Sequence, residues 1–198
     1  MHNQSQINEP QINKHLIWQE EGGRAVFKCP IFSLREISCR SPDNELRDFT
    51  VMDAPDWAIV VPVLETERGK EFVMVRQWRH GAQELSLEFP GGVFDAGETD
   101  TEAAARELRE ETAYISGKIT KLGEMNPNPA IMSNRVHFFL AEELHYLGTQ
   151  DLDADEYVDV ETIPIEAVFQ WMGTPPYIHA LMGSALALYA SYTTRKTP

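Results

Sequence analysis

Residues 92–111 read GVFDAGETDTEAAARELREE, and the fold and chemistry of the chain follow from how this stretch is read. Thr99 with Glu102 three residues on is a capping-box signature, and Ala103, Ala104 and Ala105 are strong helix formers, so a helix is predicted over 99–114. Each residue turns an α-helix by about 100°, so positions three and four apart share a face. Glu107, Glu110 and Glu111 then fall within one narrow arc, and Ala104, Leu108, Thr112 and Ile115 occupy the neighbouring arc that faces the core. Like charges so spaced disfavour an exposed helix by about 0.2–0.5 kcal/mol per pair. Arg106 offsets part of this by pairing with Glu102 and Glu110, four residues away on either side. A divalent cation would offset the rest, and a donor set made only of carboxylate oxygens selects a hard ion, Mg2+ or Mn2+. On the helix alone, a solvated acidic face is the plainer account.

The surrounding chain reads as an α/β layered domain. Upstream, residues 57–64 (WAIVVPVL) form a continuous apolar run that suits a strand buried on both faces, and residues 71–80 (EFVMVRQWRH) alternate as its hairpin partner. Residues 88–92 (EFPGG) end another short strand in a glycine turn. Downstream come a strand at 136–142, an acidic loop at 151–156, strand character from 157, a short helix at 165–172 and a packed final helix over 177–192. Residues 1–14 are rich in Asn and Gln and read as disordered. Short strand-like runs between 16 and 50, with a turn at Ser41-Pro42-Asp43-Asn44, make an antiparallel β subdomain over 15–55; the main domain covers 56–196.

Composition narrows the function classes. The 198 residues are 42% hydrophobic and 24% charged, enough to bury a core, and the net charge is −14. Such a surface repels phosphate backbones and anionic lipid, so nucleic acid and membrane are poor partners. A small anionic substrate needs cations or arginines to cancel the field at one site. Cys29 and Cys39 are too few for a disulfide framework and read as free thiols in a reducing compartment. With no apolar leader at the start of the sequence, a cytoplasmic location is expected.

Gly92, Glu98, Arg106-Glu107-Leu108 and Glu110-Glu111 make one spaced string, G-x5-E-x7-R-E-L-x-E-E. These residues match the Nudix box, and the chain resembles a Nudix hydrolase. The resemblance implies an α/β/α sandwich with a mixed sheet, in which a loop–helix–loop holds Mg2+ or Mn2+ against a diphosphate. It implies metal ligation by Glu107, Glu110, Glu111 and the Gly91 carbonyl, with Glu98 supporting the loop or a second metal. The family pattern continues with a glycine where this chain has Ala113. Either the helix runs on to Ser116-Gly117, or Ala113 takes a left-handed conformation at a cost on the order of 1 kcal/mol.

Three stretches outside the box are similar to the ADP-sugar pyrophosphatase branch: Val75-Arg76-Gln77-Trp78-Arg79, Glu88-Phe89-Pro90-Gly91-Gly92, and Pro129, sixteen residues beyond Ala113. Asn126-Pro127-Asn128-Pro129-Ala130 departs from the group's more usual S-P-G. The resemblance places Arg76, Arg79 and Glu88 at the substrate, with the two arginines read as a basic patch on one strand face. A guanidinium offers phosphate oxygens a bidentate fork. In the resembling enzymes a loop acid beyond the box completes the metal site or acts as base; Asp153, Asp155 and Glu156 are the candidates here, beside Glu110. A calcium loop at Asp151 is rejected, because Glu156 stands where its glycine is required. Trp57, Phe27 and Trp78 are candidates to stack on a base. The histidines have no ligand spacing, and no nucleophile motif is present.

The expected reaction is metal-dependent cleavage of the pyrophosphate bond of a nucleoside diphosphate linked to another group, most simply ADP-ribose or another nucleotide sugar. The resembling group also implies a homodimer built through the N-terminal strands. The alternatives are a non-catalytic nucleotide-sugar sensor, a Nudix hydrolase acting on dinucleotides or dinucleoside polyphosphates, and an acidic interaction module without metal.

Overall fold

The computed structural model describes residues 13–196; the stretch read as disordered lies almost wholly outside them. The chain divides into two compact units, residues 13–54 with 128–133 and residues 55–127 with 134–196.

The first unit is a three-stranded antiparallel sheet in the order β1 (Gln19–Lys28), β2 (Ser33–Arg40), β3 (Leu46–Asp53). Between β1 and β2 the chain turns where the Cys29 N–H donates to the Phe32 carbonyl. The expected turn after Arg40 closes on Asn44, in the left-handed region at φ 67°. Arg35 holds Asp53 through two hydrogen bonds, and Ser133 Oγ donates to the same carboxylate at 2.7 Å.

The second unit is a mixed sheet with helices on both faces. Its strands are β4 (Trp57–Thr66), β5 (Gly69–Arg79), β6 (Glu84–Glu88), β7 (Gly91–Val93), β8 (Tyr114–Met125), β9 (Val136–Tyr146) and β10 (Asp159–Pro164). The main path runs β10-β5-β4-β9-β8, with β6 on β5 and β7 on β4. Among these strands only β4 and β9 run parallel, and β4 is buried on both faces as its apolar run requires.

Side-chain parity along β4 builds the two layers. Ala58 and Val60 point to one face, where they meet Phe139, Ala141 and the helix α1 (Asp100–Thr112) through Ala103, Ala104 and Leu108. Ile59, Val61 and Val63 point to the other, where Phe72, Met74, Phe138 and Leu140 join α2 (Ile165–Trp171) and α3 (Ala180–Lys196). The expected α/β/α sandwich is thus present. No helix among the described residues is long and apolar enough to cross a membrane.

The sequence reading holds no strand at β8, which follows α1 after a single residue and carries Ile115 away from the helix, where it is exposed rather than in the core. The helix ends at Thr112, and Ala113 sits in the left-handed region at φ 60°, ψ 17°. Of the two outcomes open for Ala113, it is the strained cap that occurs.

Candidate active site

Helix α1 is fixed at its start by the full capping box: the Thr99 side chain accepts from the Glu102 N–H, and the Glu102 carboxylate accepts from the Thr99 N–H at 2.9 Å. Because Glu102 is committed there, Arg106 does not pair with it, contrary to the sequence reading. Arg106 instead turns to the preceding loop and along the helix, donating to Glu98 at 2.9 and 3.0 Å, Glu107 at 2.8 Å, Glu110 at 3.1 Å and the Val93 carbonyl at 2.9 Å. Glu98 also accepts from the Asp95 N–H at 3.0 Å, so it closes the loop onto the helix.

The glycine turn packs against this helix. The Gly91 N–H donates to Glu111 at 2.8 Å. A Cβ on Gly91 would run into the Ala58 carbonyl, and one on Gly92 would run into the Glu107 carboxylate. Only glycines let the turn approach both the strand and the acids. Glu107 and Glu111 are nearly excluded from water, at 7% and 3% exposure. Burial pushes the Glu107 carboxyl up to about 7; Arg106 opposes this, while Glu110 and Glu156 reinforce it. Burial pushes Glu111 up to about 8, opposed by the Gly91 N–H and reinforced by Glu107 and Glu156. Glu110 is less buried and lies between Arg106 and Arg109.

The acidic loop is tied to the helix end. The Asp151 N–H donates to the Glu110 carbonyl, and Arg109 pairs with the Asp151 carboxylate, both at 3.0 Å. Of the loop acids, Glu156 adds its charge to the environment of both Glu107 and Glu111. Asp153 and Glu156 are bonded to each other, and Asp155 is exposed.

Arg79 and Glu88 form a second, forked pair at 2.8 and 2.6 Å, with Glu88 at 1% exposure. Burial acts to raise the Glu88 carboxyl, but the hydrogen bonds and charge of Arg79 outweigh it and hold it below its usual range. This pair borders a cavity of about 230 Å³ that also touches Trp57, Gly91, Gly92 and His179. The basic patch expected from Arg76 and Arg79 does not form. Three positions separate them, an odd number, so the pleat turns them to opposite faces, and Arg76 pairs with Glu161 on β10 instead. Trp78 borders a neighbouring, wider cavity, and Phe27 belongs to the first unit.

Two contributors had no signal in the sequence. His179 lines both cavities though it lies far along the chain from the box. Gln150 donates to the backbone carbonyls of Glu111 and Val158, bracing the helix end from behind.

Among the described residues, no three acidic, histidine or cysteine side chains stand close enough together to hold an ion, and Arg106 pairs with Glu98, Glu107 and Glu110. The donors still fit a hard divalent cation. Glu107 and Glu111 are buried carboxylates a turn apart, and burial together with the Glu107 charge raises the proton affinity of Glu111, a cost that a divalent charge would reverse.

The NUDIX domain model matches residues 55–182. The chain is 32% identical over 142 residues to an ADP-ribose pyrophosphatase of Bacillus subtilis, covering 71% of this chain and 75% of that one. It is 26% identical over 132 residues to the ADP compounds hydrolase NudE of Escherichia coli, covering 66% and 67%. A crystal structure of an ADP compounds hydrolase superimposes with a TM-score of 0.79 at 21% identity, covering 91% of this chain and 96% of that one.

Proposed function

The chain belongs to the Nudix family, and on that premise we propose that it hydrolyses the pyrophosphate bond of a nucleoside diphosphate linked to a sugar, with ADP-ribose as the reference substrate. The observation that carries this reading is the buried Glu107–Glu111 pair pressed against a glycine turn whose other side opens on the cavity beside Arg79. The names of the two enzymes similar in sequence support the ADP-linked class.

Glu107, Glu110, Glu111 and the Gly91 carbonyl would hold Mg2+ or Mn2+. Such an ion, when bound, neutralises the diphosphate and acidifies water. The rest falls to side chains. Arg79, with Glu88 fixing two of its N–H groups, presents its remaining donors to phosphate oxygens. Glu156 takes the proton of the attacking water in preference to Asp155, because its charge reaches the two buried acids. Glu98 holds Arg106 and the loop in place. Arg76, committed to Glu161, has the weaker claim on substrate.

We assign residues 56–196 to the hydrolase and residues 15–55 to a homodimer contact, with Cys29 and Cys39 as free thiols in a cytoplasmic protein. Nucleotide release from ADP-ribose, other nucleotide sugars, dinucleotides and dinucleoside polyphosphates tests the reading. Turnover is expected with the sugars and lost by about 10²-fold or more in Glu110→Gln and Glu111→Gln. Near-normal turnover in both variants defeats it. Thermal stabilisation by ADP-ribose without any turnover would mark a sensor, and no response to metal or ligand an interaction module.

A further inference from the structure

His179 immediately precedes α3, and its ring is held by the backbone it caps: the Leu181 N–H donates to Nδ1 at 3.2 Å. A nitrogen that accepts a hydrogen bond carries no proton, so in the neutral ring the proton sits on Nε2. Burial keeps the ring neutral by lowering its proton affinity, against the pull of Glu88. The Nε2 donor lies 3.9 Å from the Glu88 carboxylate, beyond hydrogen-bond reach, and that carboxylate already accepts twice from Arg79.

His179, Arg79 and Glu88 together border both the 230 Å³ cavity at the glycine turn and the wider cavity of about 550 Å³ beside Trp78. At this boundary Glu88 supplies the negative charge, and Arg79 and His179 supply N–H groups left over after their contacts within the protein. Two donors at one boundary suit an anionic oxygen. Resting on the hydrolase reading above, we infer that His179 is a substrate-positioning residue whose Nε2–H donates to a phosphate oxygen of the diphosphate that Arg79 also contacts. The contact spans the boundary between the two cavities and leaves the sugar to the wider one.

Two substitutions separate this role from the helix cap. His179→Asn keeps an acceptor for the Leu181 N–H but lacks the distant donor, whereas His179→Gln carries an N–H to the reach of Nε2. Steady-state kinetics with ADP-ribose and a second ADP-sugar, thermal midpoints, and calorimetric binding of ADP to the metal-free chain are the measurements. His179→Asn is expected to raise KM for both substrates by about tenfold or more, the worth of one hydrogen bond to a charged acceptor. Its kcat and midpoint stay unchanged, its ADP affinity falls in proportion, and His179→Gln recovers most of the loss. Unchanged KM and ADP affinity in His179→Asn overturns the inference. So does a KM rise confined to one sugar, which would put the donor on the sugar, or a common fall in kcat and midpoint, which would make the residue structural. If the wild-type chain turns over neither sugar, the hydrolase reading fails, and ADP binding still decides the contact.

Discussion

Glu88 shows how one buried side chain serves stability and site at once. Both of its oxygens accept from Arg79, and the pair is enclosed on the carboxylate side and open on the guanidinium side, at 1% and 39% side-chain exposure. Removing one partner of such a pair leaves the other uncompensated, so Glu88→Gln should cost about 3 kcal/mol. For a chain of this size that lowers the thermal midpoint by about 10 °C. The pH dependence has a definite sign. Arg79 holds the Glu88 carboxyl below its ordinary 4.5, so its contribution is complete above that value and drains away as pH falls through the depressed one. Thermal midpoints measured from neutral to acid pH should therefore fall less steeply in Glu88→Gln, and equal acid limbs would contradict the pairing. Legibility at this scale was uneven. The box acids were readable as a string because their spacing is local, and Arg79 was singled out only by the resemblance of its strand, whereas the Arg76 patch rested on a mistaken strand parity. His179 left no mark in the sequence, because its relation to Glu88 exists only once α3 has packed against the sheet.

At the scale of elements, α1 was legible because its start is encoded twice, in the cap and in the alanine run. Thr99→Ala removes the acceptor for the Glu102 N–H and should cost about 1 kcal/mol, a drop of about 2–4 °C in midpoint. Since the two capping bonds are reciprocal, Glu102→Ala introduced into Thr99→Ala should add less than it costs alone. Calorimetry of the two single variants and the double variant checks this, and strict additivity would argue against a shared cap. The hairpin of β4 and β5 was equally plain from its apolar run and alternation. Strand β8 was hidden for physical reasons: it is an edge strand, Gly117 and Gly123 interrupt it, Lys118 and Lys121 take up surface ion pairs, and a register shift at Lys121/Gly123 breaks the two-residue period. The end of α1 was ambiguous because only the structure shows Ala113 adopting the conformation a glycine would take without strain.

At the scale of the whole molecule, the first unit states a problem that a second copy of the chain would solve. A three-stranded sheet is stable when one face is covered, yet in this unit's strands only Ile37 and Cys39 are buried and every residue of β1 is exposed. Val26, Phe27 and Phe49 are left about half exposed. These are the residues that a homodimer contact through residues 15–55 would bury. The opposing force is electrostatic: two copies each bring a net charge of −14, and their repulsion is screened by salt while burial of rings is not. Association should therefore tighten as salt rises, the reverse of an interface held by ion pairs. Light scattering at micromolar concentration is expected to give twice the 22.5 kDa chain mass, with the dimer surviving dilution better at high salt than at low. Phe27→Asp, which places a further negative charge on β1, should shift the protein to monomer without lowering the secondary-structure signal. A wild-type monomer at high salt would remove the dimer from the proposal, and the exposed rings of the first unit would then need another partner.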